Sequence, residues 1–120
     1  MAYVASDAAS YDGKSVGNGQ CVAYVREATR APQTSQWSAG EKARNSGSAE
    51  GTAIATFDGD GTYGNHTDGR SHAACMMSQS AGGLEVYDQW IGHPVARRTI
   101  RFKGGQGTPN NDGDAFKIIG

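Results

Sequence analysis

The sequence predicts an α+β fold in which one N-terminal helix, opening on a cysteine, packs on a small antiparallel sheet. Three observations carry this expectation. Eighteen glycines against three prolines in 120 residues imply many tight turns and close backbone approaches, which suit short strands better than a helical bundle. Just after position 20, apolar residues recur at helical spacing. From residue 52 onward the pattern changes to short β-branched and apolar runs divided by glycine turns. The length fits one domain, residues 1–120, large enough for a core without metal or disulfide staples.

In chain order, residues 1–19 read as an irregular entry. Gln20 to about Arg30 reads as the helix, with Val22, Val25, Ala28 and Thr29 inward, Arg26, Glu27 and Arg30 in water, and Pro32 as its stop. Trp37 to Ala43 is expected as a second short helical turn anchored by the tryptophan. Thr52 to Phe57 reads as a strand closed by the turn Asp58-Gly59-Asp60-Gly61. Strands at about Ser71 to Ser78 and Leu84 to Trp90 form a hairpin through Ala81-Gly82-Gly83. Val95 to Phe102 follows a turn around Gly92-His93-Pro94, and Ala115 to Ile119 adds a closing strand after a polar linker.

Composition narrows the function. Eleven basic and twelve acidic side chains give a net charge of −1, with no Lys/Arg run to track a phosphate backbone, so nucleic acid is a poor partner. No apolar run approaches a membrane span, and Met1 to Ser10 lacks the basic start and apolar stretch of a secretory signal. The expectation is a soluble chain that does not use the general secretory route.

The chemistry centres on Gly17-Asn18-Gly19-Gln20-Cys21, a glycine turn that delivers a thiol to the first turn of a helix. There the unpartnered N–H groups and the positive end of the dipole favour a thiolate. A thiol of this kind needs an imidazole to exchange its proton and a polar group to hold that imidazole. His72, opening one strand of the hairpin, and Asp88, in the other, supply both types, because facing residues of adjacent strands lie within about 5 Å. Gln89 is the alternative holder of the ring. Alternation puts Cys75 on the face opposite His72, which makes it core packing. Pairing of Cys75 with Cys21 would disable the thiol. The backbone N–H of Cys21 is one oxyanion donor, with Gln20 or Tyr11 as the second, and Trp37, Tyr63, Tyr87 and Trp90 are candidates for a substrate groove.

Gly19-Gln20-Cys21-Val22-Ala23-Tyr24-Val25, Gly51 to Phe57, His72-Ala73-Ala74 and Val86-Tyr87-Asp88-Gln89-Trp90 together resemble the papain-like peptidoglycan amidases of the NlpC/P60 and CHAP kind, over about residues 17–102. More narrowly, the compact chain and the Asp-Gln-Trp strand resemble the amidase effectors of the type VI secretion system, especially the second and third families. That resemblance implies an antibacterial toxin injected into a rival's periplasm, which cuts peptidoglycan stems or cross-links and is countered in its producer by an immunity protein. Cys21 and His72 follow from the family pattern, with Asp88 as the third member. The implied bond is the D-alanine to diaminopimelate cross-link, with the D-glutamyl to diaminopimelate bond as the alternative. No metal or organic cofactor is expected.

Blander readings stand beside these. A lone cysteine in a helix is most often a small buried hydrophobe, and Asp88 could simply cap a turn. Asp58-Gly59-Asp60-Gly61 resembles the start of a calcium loop, but Gly69 stands where the bidentate glutamate belongs, so a plain turn is expected. His66, His72 and His93 offer a zinc metallopeptidase as a minor enzyme alternative, without the His-Glu-x-x-His spacing or cysteine pair that would support it. Arg97, Arg98 and Arg101 form a basic group that would meet anionic wall material or an acidic immunity protein, or form a solvated surface. The functional alternative from another class is a non-catalytic cell-wall-binding or adaptor module in which Cys21 and His72 only pack.

Overall fold

A computed structural model describes residues 2–120. Helix α1 spans Cys21–Thr29, and six strands follow: β1 (Ala39–Lys42), β2 (Thr52–Thr56), β3 (Ala73–Ser80), β4 (Gly83–Trp90), β5 (His93–Arg101) and β6 (Phe116–Ile119). They form one antiparallel sheet in the order β1-β6-β2-β3-β4-β5. This is the expected α+β layout of one helix on an antiparallel sheet. No helix among the described residues is long and apolar enough to cross a membrane.

The helix starts where the sequence lets it. Gly17 and Gly19 turn the chain with φ of +56° and +86°, a region that L side chains rarely adopt. A Cβ on Gly17 would also press on Ala23, at 3.0 Å. Gln20 is extended, and Cys21 takes the first helical position. Tyr24, Val25 and Thr29 are buried, while Val22 and Ala28 pack at the margin of the same cluster. The helix ends at Arg30, whose left-handed backbone (φ 62°) returns its N–H to the Arg26 carbonyl at 2.9 Å. Pro32 therefore lies beyond a stop already made.

Each face of the sheet carries its own core. Ala53, Ala55, Ala73, Cys75 and Tyr87 pack beneath α1 with Tyr24, Val25 and Trp37. On the other face Ile54, Ala74, Leu84, Val86, Ile100 and Phe116 form a second cluster. Small residues along β2 let the helix sit close to a strand that is buried on both faces. Cys75 is thus core packing, on the face opposite Ala74, and both cysteines are free thiols.

Two expectations need correction. Trp37 to Ala43 is not a helical turn: after a 3₁₀ turn at Thr34–Gln36, Ala39–Lys42 forms a strand. Its partner is β6, nearly eighty residues away, with Ala39 opposite Ile119, a pairing that local sequence does not disclose. The expected closing strand is β6, and it inserts between β1 and β2. The turn before β5 is Ile91-Gly92, with Trp90 opposite His93, rather than Gly92-His93-Pro94.

Candidate active site

The first turn of α1, the start of β3 and the ends of β4 and β5 meet at an open cleft of about 460 Å³. Cys21, His72, Tyr63, Trp90 and Arg98 all line it. Cys75 faces Tyr87 across the β3–β4 ladder, so Ala74 faces Asp88 and His72 is its diagonal neighbour on the same face. The imidazole uses that diagonal: Asp88 Oδ2 lies 2.7 Å from His72 Nε2. With Nε2 engaged, Nδ1 is the nitrogen left for the Cys21 thiol, and each of the two groups shifts the pKa of the other.

The electrostatics follow from this chain of contacts. Burial works to raise the Cys21 pKa, but the hydrogen bond and charge of His72, helped by a backbone bond at Ala73 and the Tyr63 hydroxyl, outweigh it and hold the thiol below its ordinary value. Burial works to lower the His72 pKa, and the bonds to Asp88 and Cys21 with their charges overcome it, placing the imidazole at about 9. Thiol and ring thus each favour the charged form of the other, thiolate beside imidazolium. Cys75 stands in contrast, its thiol pushed up to about 12 by burial.

Asp88 is wholly buried, and a second cation holds it. Arg98 Nε donates to Oδ2 at 2.8 Å, and the same guanidinium passes 3.5 Å from His72 Nε2 and over the Trp90 ring at 5.1 Å. Arg98 thus leaves the expected basic group. Arg97 and Arg101 stay exposed on the other strand face, Arg97 near Glu85 at 3.8 Å and over Tyr87. Sequence did hold a signal for Arg98, because it alternates with Ile100 on the inward face of β5, where a charge needs a carboxylate partner.

Gln89 does not touch the ring. Its side chain, also wholly buried, accepts from Val16 N–H at 2.8 Å and donates to the carbonyls of Val16 at 2.9 Å and Gln20 at 2.7 Å. The alternative between Asp88 and Gln89 resolves by strand alternation, one side chain going to each face of β4.

The aromatic candidates separate. Tyr63 and Trp90 line the cleft, and the Tyr63 hydroxyl lies 3.8 Å from Cys21 Sγ. Burial, with the charge of Cys21, raises its pKa, so it stays a phenol. Trp37 is core instead: it packs on Tyr63 at 5.0 Å and gives its indole N–H to the Pro32 carbonyl at 2.8 Å. Tyr87 is buried beneath the helix on the face that Cys75 shares. Tyr11 packs edge-on against Tyr24 at 5.6 Å and lies outside the cleft, so it is not placed as an oxyanion donor, whereas Gln20 lines the cleft.

The three histidines have separate partners. His66 Nε2 meets both oxygens of Asp58 at 3.0 Å, and His93 stacks on Trp90 at 3.9 Å. Among the described residues no three His, Cys, Asp or Glu side chains gather as a metal site. Asp58 to Gly61 is a turn closed by Gly61 N–H on the Asp58 carbonyl at 2.9 Å.

A family model described as Domesticated amidase effector 2 matches residues 1–119. A type VI secretion amidase effector 2 protein from Salmonella typhi is 41% identical over 125 residues, spanning 98% of this chain and 92% of that protein. A domesticated amidase effector 2 from Ixodes scapularis is 40% identical over 122 residues, 95% of this chain and 82% of its own length. The solved structure of a type 6 secretion amidase effector 2 superposes with a TM-score of 0.82 at 34% identity, covering 98% of this chain and 93% of that one.

Proposed function

This chain belongs to the domesticated amidase effector 2 family, and on that premise we propose that it is a cysteine amidase of bacterial peptidoglycan, working as a single domain over residues 1–120 with Cys21, His72 and Asp88 as its catalytic residues. The observation that carries the reading is the His72 ring set between a thiol of lowered pKa and a buried carboxylate in an open cleft. A packing role would not need that polarity, so this geometry favours the enzyme over a non-catalytic adaptor. The helix-borne thiol on an antiparallel sheet also accords with a papain-like arrangement of the NlpC/P60 and CHAP kind.

In this mechanism the Cys21 thiolate attacks the scissile carbonyl carbon, and the Cys21 backbone N–H and the Tyr63 hydroxyl receive the charge on the carbonyl oxygen. The C–N bond breaks as imidazolium His72 gives its proton to the departing amine. Water then adds to the thioester, losing a proton to the now neutral ring, and the carboxyl product leaves as the thiol returns. Asp88, backed by Arg98, accepts the other ring N–H and holds the ring in register. Trp90 and Tyr63 offer apolar walls to a peptide stem. The proposed bond is the D-alanine to diaminopimelate cross-link, and the proposed setting is a rival cell's periplasm, reached by type VI secretion and opposed by an immunity protein.

Mass spectrometry of purified muropeptides after digestion tests the reading. Wild type should convert cross-linked dimers to monomers, and Cys21→Ala should leave them intact while melting normally. Products split after D-glutamate would move the bond to the D-glutamyl position. Full turnover by folded Cys21→Ala would end the cysteine mechanism.

A further inference from the structure

We infer that Gln89 is a positioning residue that aims the backbone N–H of Cys21 at the reacting carbonyl oxygen. The inference rests on the proposed cysteine mechanism and adds a group that makes no hydrogen bond to the thiol or the imidazole. Gln89 is wholly buried, and every polar atom of its amide is used. Its orientation is fixed by that set: a flipped amide would turn its oxygen on two carbonyls and its NH₂ on an N–H.

The bond that matters is the 2.7 Å donation to the Gln20 carbonyl. Gln20 and Cys21 share a planar trans peptide, in which C=O and N–H point in opposite directions. A carbonyl drawn inward to a buried side chain, and held as well by Ala23 N–H at 3.1 Å, turns the Cys21 N–H away from the core. That is the side on which Cys21 meets the cleft. As the first donor of a helix, Cys21 N–H has no intrahelical acceptor, and among the described residues no loop carbonyl or side chain takes it. The two bonds to Val16 anchor the far end of the same turn, whose residues at 17 and 19 are glycines with left-handed φ and would otherwise let the peptide plane swing.

The aim of the N–H and the charge of the thiol have separate sources. The Cys21 pKa is set from the other side, by His72. A loosened Gln20–Cys21 peptide should therefore weaken oxyanion binding and leave the thiolate in place.

Gln89→Glu keeps the volume and the acceptor for Val16 but loses both donors, and Gln89→Met removes all three bonds. Both variants should lose kcat on cross-linked muropeptide, by about 10- to 100-fold against the roughly 100- to 1,000-fold of a lost oxyanion donor. In the uncharged Gln89→Met, KM and the pH midpoint of Cys21 alkylation by iodoacetamide should stay within about twofold and a few tenths of a pH unit. Affinity for a peptide aldehyde, whose adduct on Cys21 carries the same oxyanion, should fall in parallel. In wild type, ¹⁵N-labelled protein should show the Cys21 amide proton moving downfield when the aldehyde binds, a readout that needs no variant to fold. A folded Gln89→Glu with unchanged kcat and aldehyde affinity would refute the inference, as would an unmoved Cys21 amide signal. In Gln89→Met, a kcat loss that comes with a shifted alkylation midpoint would assign Gln89 to thiol placement instead. Wild type that binds the aldehyde but cleaves no muropeptide would overturn the substrate reading and leave this inference standing.

Discussion

Asp88 gives the same oxygen to both of its neighbours, the ring of His72 and the guanidinium of Arg98, while its other oxygen is buried with no hydrogen-bond partner among the described residues. A carboxylate so placed acts by charge, so Asp88→Asn should cut kcat by about 10²- to 10⁴-fold, the range of a general acid–base partner, and a single-turnover assay on muropeptides would show it. The pH behaviour of the dyad is signed. His72 titrates at 6.5 unperturbed and at about 9 here, so its contribution to stability is complete below pH 6.5 and is lost as pH rises through about 9. Cys21 opposes this, since its folded pKa lies below 9.0: its contribution is present above 9.0 and is lost as pH falls through the folded value. The two offset each other in wild type over their shared window. Because Cys21 is among the groups that hold the His72 pKa up, Cys21→Ala should lower the pH at which the ring titrates, followed by NMR, and an unmoved midpoint would mean that thiol and ring share no charge. Alkylation at pH 7 should mark Cys21 well before the buried Cys75. At this scale the sequence was readable where chemistry has local grammar: the glycine turn before Cys21, and the alternation that separates Cys75 from His72. Arg98 was hidden because a triplet of arginines draws attention as a patch, although one of the three alternates inward.

Strand β4 ends on three consecutive side chains with separate duties: Asp88 on the ring, Gln89 on the thiol's turn, Trp90 on the cleft wall. The ladder to β5 shifts register here, from Asp88 opposite Ala96 to Trp90 opposite His93, as at a β-bulge that re-aims side chains. Strand existence was legible from residue 52 onward because period and turn chemistry are local properties. Strand β1 was not, because Ala39-Gly40-Glu41-Lys42 has little strand character of its own and owes its conformation to β6. Gly40 shows how close that pairing is: a Cβ there would fall 2.8 Å from the Ile118 carbonyl oxygen. Gly40→Ala should therefore lose about 1–3 kcal/mol of stability by urea titration. Since Gly40 lies outside the cleft, turnover per folded molecule should be unchanged.

Across the whole molecule the last strand is central rather than peripheral. β6 bonds to β1 on one side and β2 on the other, Phe116 and Ile119 are fully buried, and the Phe116 ring packs edge-on to His72 at 6.3 Å. Deleting residues 116–120 should abolish cooperative unfolding in circular dichroism rather than trim a tail, and a truncated protein that still melts sharply would contradict this. Closing the sheet joins segments nearly eighty residues apart, so refolding should be slow for a chain of this size. No pattern within residues 102–120 announces that placement, because insertion between two strands is a property of the finished sheet. The two tryptophans, finally, report from different surroundings: Trp37 is 3% exposed in the core, while Trp90 is 40% exposed at the cleft, between the His93 ring and the Arg98 guanidinium. Intrinsic emission should accordingly divide into a blue component deaf to iodide and a red one that iodide quenches. Shielding of the second component would count occupied clefts without any label.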